Sequence, residues 1–367
     1  REKVSENLNG RVVTAGRVAN ITGTKNFEGR QHCMFRNRCI RGCPFGAYFS
    51  SNSSTLPAAE RTGNLTLRPD SIVHEVMYDS NTKRATGVKV IDMVTKEAHE
   101  FKAKVIFLCA SSIASTSILM QSKSDRFPNG MGNDSDQLGR NIMDHHLGVG
   151  AQGKYYKGRK PNGVYIPRFR NLGGDSDRKD YKRGFGYQGG AGRGNWDEAV
   201  AELSFGKDLK ETILKPGGWT MGLGGFGEVL PYEENRMTLD YDKLDGWGLP
   251  TVTFDAEFKE NEWAMRKDMK ESAVEMLKKA GLRDVQPFDN PGALGLGIHE
   301  MGTARMGRDR RTSVLNGFNQ VHDVPNVYVT DGSFMSSAAC VNPSLTYMAF
   351  TARAANHAAK QLKKGNI

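Results

Sequence analysis

Two short segments carry residue types that together could activate a hydroxyl group. Residues 295–307, GLGIHEMGTARMG, hold His299 in a glycine-rich loop, and residues 331–350 place Asn342 and Pro343 at the start of a helix of small residues. A neutral imidazole can accept a proton, while a carboxamide can hydrogen-bond to the oxygen that loses it. These are the parts needed to oxidise an alcohol against a redox cofactor.

Each part also has a purely structural interpretation. An isolated histidine in a tight loop is commonly a hydrogen-bonded structural residue, and Asn342 with Pro343 suits the N-cap and first turn of a helix. Such a helix start also directs a positive dipole end at whatever precedes it, which would stabilise a negatively charged cofactor edge. The zinc-protease pattern HExxH is excluded because residue 303 is threonine. His145 and His146 could be metal ligands, but they lack a cysteine or carboxylate at ligand spacing.

Length and composition restrict the class of protein. The 367 residues suffice for about two domains with a sizeable core, and 38% hydrophobic with 25% charged residues is typical of a soluble globular chain. No window approaches the roughly 18 apolar residues of a membrane span. The sequence starts at Arg1 without a signal-peptide core, which favours a mature product or a fragment.

The net charge of +10 is densest over residues 154–185. No nucleic-acid motif accompanies these basic residues, so a nucleic-acid partner is not expected. We expect a solvated surface or, as the alternative, a site for an acidic protein or an anionic substrate.

The hydrophobic pattern predicts the elements that must position the site. Residues 65–94 contain two strand-like runs around a polar turn, and residues 103–110 form the continuous apolar run of a buried parallel strand. A helix of small residues follows at 111–122. Residues 324–332 predict a second buried strand that ends in a tight Asp331–Gly332 turn, which suits backbone approach to a ribityl or phosphate group.

The middle of the chain has a different composition. From about residue 148 it is rich in Gly, Tyr and Arg, and two later runs resemble antiparallel strands. Residues 259–280 predict an amphipathic helix that ends at Gly281. Its apolar stripe comprises Trp263, Met269, Ala273, Met276 and Leu277. The predicted division is therefore 1–147, a middle domain of 148–290 inserted between the two ends, and 291–367.

These motifs in combination resemble the glucose-methanol-choline (GMC) family of flavin oxidoreductases. They are TGNLTLRPDSIV, VIFLCASSIASTSILMQS, QLGRNIMDHH, GEVLPYEENRMTL, HEMGTARMG and VTDGSFMSSAACVNPSLTYMAF. The resemblance implies FAD, a mixed α/β fold with a p-hydroxybenzoate-hydroxylase-like FAD domain, and a substrate domain whose antiparallel sheet covers the flavin. The family's catalytic pair falls on His299 and Asn342. His299 would take the hydroxyl proton while a hydride leaves for flavin N5, and Asn342 would orient the hydroxyl.

Residues expected to contact the cofactor lie in three of these segments. They are Val73, Ala110, Ser111, Asp331, Gly332, Asn342, Pro343 and Thr346. One feature of the family is missing, because no strand–GxGxxG–helix unit for the FAD pyrophosphate occurs in these residues. The sequence GLGGFG at 222–227 has a related rhythm but precedes EVLPYEEN instead of a helix, so it is rejected. An N-terminal segment preceding these residues, or a separate chain, would supply the unit, and this polypeptide alone is expected to bind FAD weakly or not at all.

Three of the five cysteines crowd into CMFRNRCIRGCPFGA, as Cys33, Cys39 and Cys43. The odd total argues against a disulfide framework, which leaves plain buried thiols, a zinc site with His32 as fourth ligand, or an iron–sulfur cluster. The spacing resembles that of flavin dehydrogenases for glucose and fructose within the family, where three cysteines hold a [3Fe-4S] cluster. Such a cluster would pass electrons singly to a cytochrome c or quinone.

The resemblance favours an FAD-dependent sugar or glycoside dehydrogenase, with oxidation at C3 of a glucoside as one possibility. A carbohydrate substrate suits the polar middle domain, and a small accessory subunit is a further expected partner. The alternatives are an oxygen-reducing pyranose or alcohol oxidase, and a flavin-free remnant that serves as a binding or scaffold subunit. Electron transfer to a cytochrome would suit the periplasm.

Overall fold

The computed structural model describes residues 14–15, 29–36, 39–155, 163–171, 173, 178–193, 205–214 and 217–367. The chain divides into two compact units, one of Ala15–Pro69 and one of Arg1–Thr14 with Asp70–Ile367. The helices are α1 (Thr55–Glu60), α2 (Ser112–Gln121), α3 (Gly206–Leu214), α4 (Glu260–Lys279) and α5 (Ser344–Lys363), with 3₁₀ turns at Cys39–Arg41 and Gly332–Phe334.

The strands range from two to ten residues in length. They are β1 (Thr14–Ala15), β2 (Ser71–Asp79), β3 (Arg84–Asp92), β4 (Ala98–Lys102), β5 (Ile106–Leu108), β6 (His145–His146), β7 (Val149–Tyr155), β8 (Val164–Ile166), β9 (Phe185–Arg193), β10 (Trp219–Glu228), β11 (Arg236–Leu244), β12 (Pro250–Asp255), β13 (Arg283–Asp289), β14 (Gln320–Val321) and β15 (Val324–Val329). The mixture of sheets and helices confirms the predicted α/β class.

A parallel strand pair joins the two ends of the larger unit. β5 lies parallel to β15, with Ile106 opposite Val327 and Leu108 opposite Val329. All four side chains are buried, as expected of parallel strands covered on both faces. The first hydrophobic core forms around this pair and contains residues from both ends of the sequence. The predicted buried strands and the helix between them are confirmed.

A second core lies in the middle of the chain. Here β8, β9, β10, β7 and β13 pair in that order in an antiparallel sheet, and α4 packs on it through Met265, Met269, Ala273 and Met276. The three-part domain division itself stays a prediction.

The glycines of GLGGFG lie inside β10 and make room for neighbouring side chains. A Cβ at Gly225 would lie 2.4 Å from the Met269 side chain, and one at Gly227 would lie 2.0 Å from Nε2 of His146. Packing within the sheet therefore requires glycine at these two positions, whereas a Cβ at Gly222 or Gly224 would make only ordinary contacts. GLGGFG is thus part of a strand and not the turn of a strand–turn–helix unit, as predicted.

The predicted apolar stripe of α4 is correct except at Trp263, which is 48% exposed. The inward position near this end of the helix is taken by Arg266, 1% exposed, whose guanidinium bonds to Asp289 and to the carbonyl of Leu147. Trp263 instead packs beside Phe258 and the Arg266 guanidinium. Gly281, with φ +87°, follows the C-terminal end of the helix as predicted.

Several basic residues of the 154–185 run make internal ion pairs. Asp268, which is buried, receives Arg170 at 3.0 Å and Arg178 at 3.1 Å, and Arg183 lies 3.8 Å from Glu228. Part of this segment is therefore structural; residues 156–162, 172 and 174–177 lie outside the described residues. Within the described chain, no helix has both the length and the apolar character needed to cross a membrane.

Candidate active site

The loop that carries His299 is anchored to one buried carboxylate. Asp144, just before β6, accepts backbone N–H bonds from His145 at 2.6 Å, from Gly297 at 2.6 Å and from His299 at 3.1 Å. Burial raises the pKa of Asp144, and these backbone N–H groups oppose the rise. Because two of the bonds come from the loop, Asp144 fixes where the His299 side chain begins.

Glycine at position 297 is required by this close approach. A Cβ there would lie 2.3 Å from the carbonyl oxygen of His145 and 2.5 Å from Oδ1 of Asp144. The next residue, Ile298, has φ +57° although it is β-branched, and it is 79% exposed. Backbone strain of this kind is found at functional sites, where the surrounding structure holds it in place.

His299 meets a second histidine that the sequence did not connect with it. Nδ1 of His299 lies 2.9 Å from Nδ1 of His145, with the rings at 75°. His145 is 2% exposed, and burial together with the nearby His299 lowers its pKa to about 4. Burial also lowers the pKa of His299, which the Glu300 carboxylate opposes. Both rings are therefore neutral at neutral pH.

Asn342 lies on the other side of the His299 ring. Its Nδ2 is 3.5 Å from Nε2 of His299, while its Oδ1 accepts from Gln188 Nε2 at 2.9 Å and from the Tyr165 hydroxyl at 3.4 Å. The capping interpretation of Asn342 is wrong, because α5 begins at Ser344 with Pro343 at its N-cap and no side-chain cap. The structure thus brings His299 and Asn342 together at an exposed position.

The carboxyl ends of the parallel strands offer groups that a flavin cofactor could meet. Ala110 and Ser111 follow β5 and are exposed, and Ser111 has φ 76° and ψ 163°, a conformation normally restricted to glycine. Neither α2, which starts after Ser111, nor α5 has a side-chain cap at its first turn. Uncapped helix starts suit the phosphate or carbonyl oxygens of a cofactor.

The Asp331–Gly332 turn is occupied by protein contacts. The Asp331 carboxylate accepts hydrogen bonds from Ser115 Oγ and from the amide and hydroxyl of Ser333, and it caps the 3₁₀ turn. A Cβ on Gly332 would lie 2.4 Å from the carbonyl oxygen of Glu300 and 2.6 Å from Ser112 Oγ. Internal packing therefore explains both residues, and their cofactor contact stays a prediction.

The remaining predicted cofactor residues occupy two kinds of position. Val73 pairs with Val90 between β2 and β3 and packs against the first core. Thr346 is half-buried in the first turn of α5, after Pro343. Their roles at a cofactor stay predictions too.

The cysteine loop belongs to the smaller unit. Cys33, Cys39 and Cys43 are not disulfide-bonded, and they line one cavity of about 260 Å³. The backbone N–H of Tyr48, and to a lesser extent those of Phe45, Ala47 and Gly46, lower the pKa of Cys43 against the effect of burial.

The predicted metal ligands are not gathered around one point. Among the residues that the structure describes, no three His, Cys, Asp or Glu side chains are close enough to hold a metal ion. Nδ1 of His32 is buried without a hydrogen-bond partner there. The three cysteines line one cavity, but in this arrangement they do not form the coordination geometry of a zinc site or of a cluster.

Comparison with known proteins shows which family the chain belongs to. A GMC oxidoreductase family model matches residues 231–351, and another matches residues 2–147. The chain belongs to the GMC oxidoreductase family. Membership implies FAD as the cofactor, and the matched C-terminal segment contains both His299 and Asn342.

Curated relatives of this GMC chain include two dehydrogenases. The 2-methyl-1,2-propanediol dehydrogenase of Mycolicibacterium austroafricanum is 30% identical, over 92% of this chain and 62% of that protein. The fructose dehydrogenase large subunit of Gluconobacter japonicus is 27% identical, over 95% of this chain and 63% of that protein. The chain thus spans somewhat less than two thirds of these relatives.

A solved structure supports the fold. Pyridoxine 4-oxidase from Mesorbium loti superposes with a TM-score of 0.58 at 18% identity, covering 86% of this chain and 62% of that one. At this identity the likeness extends to architecture alone.

Proposed function

We propose that this chain carries the catalytic half of an FAD-dependent dehydrogenase that oxidises a hydroxyl group of a sugar or glycoside. The observation that carries the proposal is the 3.5 Å gap between Nε2 of His299 and Nδ2 of Asn342. A hydroxyl oxygen placed there can donate its proton to the imidazole and accept from the carboxamide. The Asn342 side chain is already oriented for this, because Gln188 donates to its Oδ1.

The reaction is a loss of one proton and one hydride from the carbinol group. His299 takes the hydroxyl proton at Nε2, and Asn342 stabilises the charge that develops on the oxygen. Bound FAD would accept the hydride. We assign three groups on this chain to the cofactor: Ala110, Ser111 and the uncapped first turn of α5.

The relatives guide the choice of substrate. Two curated relatives are named dehydrogenases, one for a diol and one for fructose. A carbohydrate substrate, with C3 of a glucoside among the candidate positions, is the form of the proposal that we would test first.

The test uses the full-length gene product with its FAD. Sugars, glucosides and small diols are supplied without oxygen, and reduction of an artificial electron acceptor is followed, with the product identified by NMR. We expect turnover of a carbohydrate and a loss of roughly 100-fold or more in kcat for His299→Gln. Peroxide formation in air at the same rate would make the protein an oxidase. A purified protein without flavin absorbance would indicate a binding subunit.

We further propose that Cys33, Cys39 and Cys43 hold a [3Fe-4S] cluster. Three thiols lining one cavity, with backbone amides favouring the Cys43 thiolate, support the proposal. A cluster would accept electrons one at a time, which suits a cytochrome c or quinone acceptor and an accessory subunit. Iron and sulfide analysis with electron paramagnetic resonance tests this. We expect both elements in the natural protein and their loss in Cys43→Ser, whereas three titratable thiols without iron would leave plain cysteines.

A further inference from the structure

The contact between His145 and His299 requires one shared proton. At 2.9 Å, the two Nδ1 atoms are within hydrogen-bond distance, so one ring must donate and the other must accept. The direction of this bond decides which nitrogen of His299 is free to act as a base.

Two neighbouring hydrogen bonds determine that direction. Gln188 donates to Oδ1 of Asn342, so the Asn342 amide presents Nδ2–H to Nε2 of His299. Nε2 is then an acceptor, and the neutral His299 ring must carry its proton on Nδ1. His299 therefore donates to Nδ1 of His145, which in turn carries its own proton on Nε2.

The surroundings of His145 are consistent with this assignment. Its Nε2 is buried and has no hydrogen bond of normal geometry within the described chain, while the carbonyls of Ala338 and Ala339 favour a proton on this ring. The β6–β10 pairing at Glu228 and the edge of the Phe226 ring hold the imidazole in place. A ring held this firmly can define the orientation of its partner.

We propose that His145 is the positioning residue for the base: it accepts the Nδ1 proton of His299 and so keeps Nε2 of His299 unprotonated toward the substrate. The inference deepens the proposed function and rests on His299 being the base. When His299 takes the hydroxyl proton, its Nδ1–H bond to His145 becomes charge-assisted and stabilises the cation. A carboxylate in this position would do so more strongly, but it would also raise the pKa of His299 and so favour a protonated ring before the substrate binds.

Other charged groups act on the pair as well. Glu300 lies beside His299, and Asp144 bonds to both backbones. Behind His145 lie His146 and the Arg266 guanidinium, and Tyr347 of α5 faces the Glu300 and Asp144 charges. A test must therefore change the acceptor on residue 145 and leave these groups intact.

Three substitutions separate the acceptor from the packing. His145→Asn places an amide oxygen near the former Nδ1, His145→Leu removes the acceptor, and His145→Asp adds a charge. The readout is the tautomer and pKa of His299, followed by NMR on full-length protein with ¹⁵N-labelled histidine and assigned with His299→Gln. Neither measurement requires turnover.

We expect Nδ1–H His299 in the natural protein and in His145→Asn. His145→Leu should give mixed tautomers and a lower His299 pKa, with kcat/KM reduced roughly 10- to 100-fold, the effect of losing one hydrogen bond to a charged group. His145→Asp should raise the His299 pKa by about one unit or more and move the acidic limb of the kcat/KM profile to higher pH by the same amount.

An unchanged tautomer and pKa in His145→Leu would show that His145 only fills space, and the proposal would be overturned. If that variant does not fold, the Asn and Asp variants decide alone, because equal His299 pKa values in these two would overturn it as well. Expected NMR results without any alcohol oxidation would instead reject the proposed function and leave the histidine pair established.

Discussion

Replacing Gly297 by alanine tests whether the Asp144 anchor sets the position of His299. The new Cβ would lie 2.3 Å from the His145 carbonyl oxygen and 2.5 Å from Oδ1 of Asp144. Ordinary contact begins near 3.5 Å, so the loop must move by about 1 Å. Breaking one hydrogen bond to the carboxylate would lower the free energy of unfolding by about 2 kcal/mol. A base displaced by about 1 Å would lower kcat/KM roughly 100-fold.

The assay compares kcat/KM and urea unfolding in Gly297→Ala and in a control from the same loop. Gly292→Ala is the matched control, because its Cβ would meet only the side chain of Leu296, which is exposed and can move. The kcat/KM of the control should stay within about a factor of three of the natural value, because surface substitutions usually change free energies by no more than about 0.5 kcal/mol. If Gly297→Ala behaves like Gly292→Ala in both measurements, the anchor does not position the base and the reasoning fails.

Three further predictions concern stability, orientation and pH. Arg266→Met should lower the free energy of unfolding by about 2 to 3 kcal/mol, because it removes the buried guanidinium that bonds to Asp289 and to the carbonyl of Leu147. Lys270→Met, at the exposed edge of the same ion pair, should cost less than about 1 kcal/mol. Equal losses in urea titrations would contradict this. Gln188→Leu should lower kcat/KM about 5- to 10-fold with little change in melting temperature, because Oδ1 of Asn342 loses the hydrogen bond from Gln188. An unchanged kcat/KM would mean that other contacts orient the Asn342 amide. Burial lowers the pKa of His145 to about 4, below the ordinary 6.5, so the folded state loses stability as the pH decreases through that interval. Between pH 7 and pH 5 the free energy of unfolding of the natural protein should therefore fall by about 2 kcal/mol more than that of His145→Asn. Parallel curves of unfolding free energy against pH would disprove the shift.

The sequence predicted well those elements whose burial is uniform. The strand at 106–108 is apolar throughout and the strand at 324–329 is apolar except at Asn326, since both faces of a parallel pair are covered. Local turn chemistry was equally informative at Gly281. In the candidate site, the family resemblance singled out His299 and Asn342, which the structure brings within 3.5 Å of each other, and their catalytic role stays a prediction.

Other features depend on partners that are distant in sequence. His145 stands 154 residues before His299, and nothing in the DHH motif shows which ring it faces. Hydropathy assigns Trp263 to the core and Arg266 to solvent, yet hydrogen bonds to Asp289 and to the carbonyl of Leu147 hold the arginine inside. Asn342 looked like a helix cap because Pro343 follows it, whereas Gln188 from the middle sheet takes its amide oxygen.

The pairing of residue 106 with residue 327 also bears on synthesis of the chain. A ribosome adds about 5 to 20 residues per second, so β5 waits about 10 s or longer before β15 exists to cover it. An apolar strand left uncovered for that time invites chaperone binding or aggregation, and parallel pairing across such a distance is intrinsically slow. The first core is therefore completed only after β15 has been synthesised, and co-expressed chaperones that cover apolar strands should increase the soluble yield.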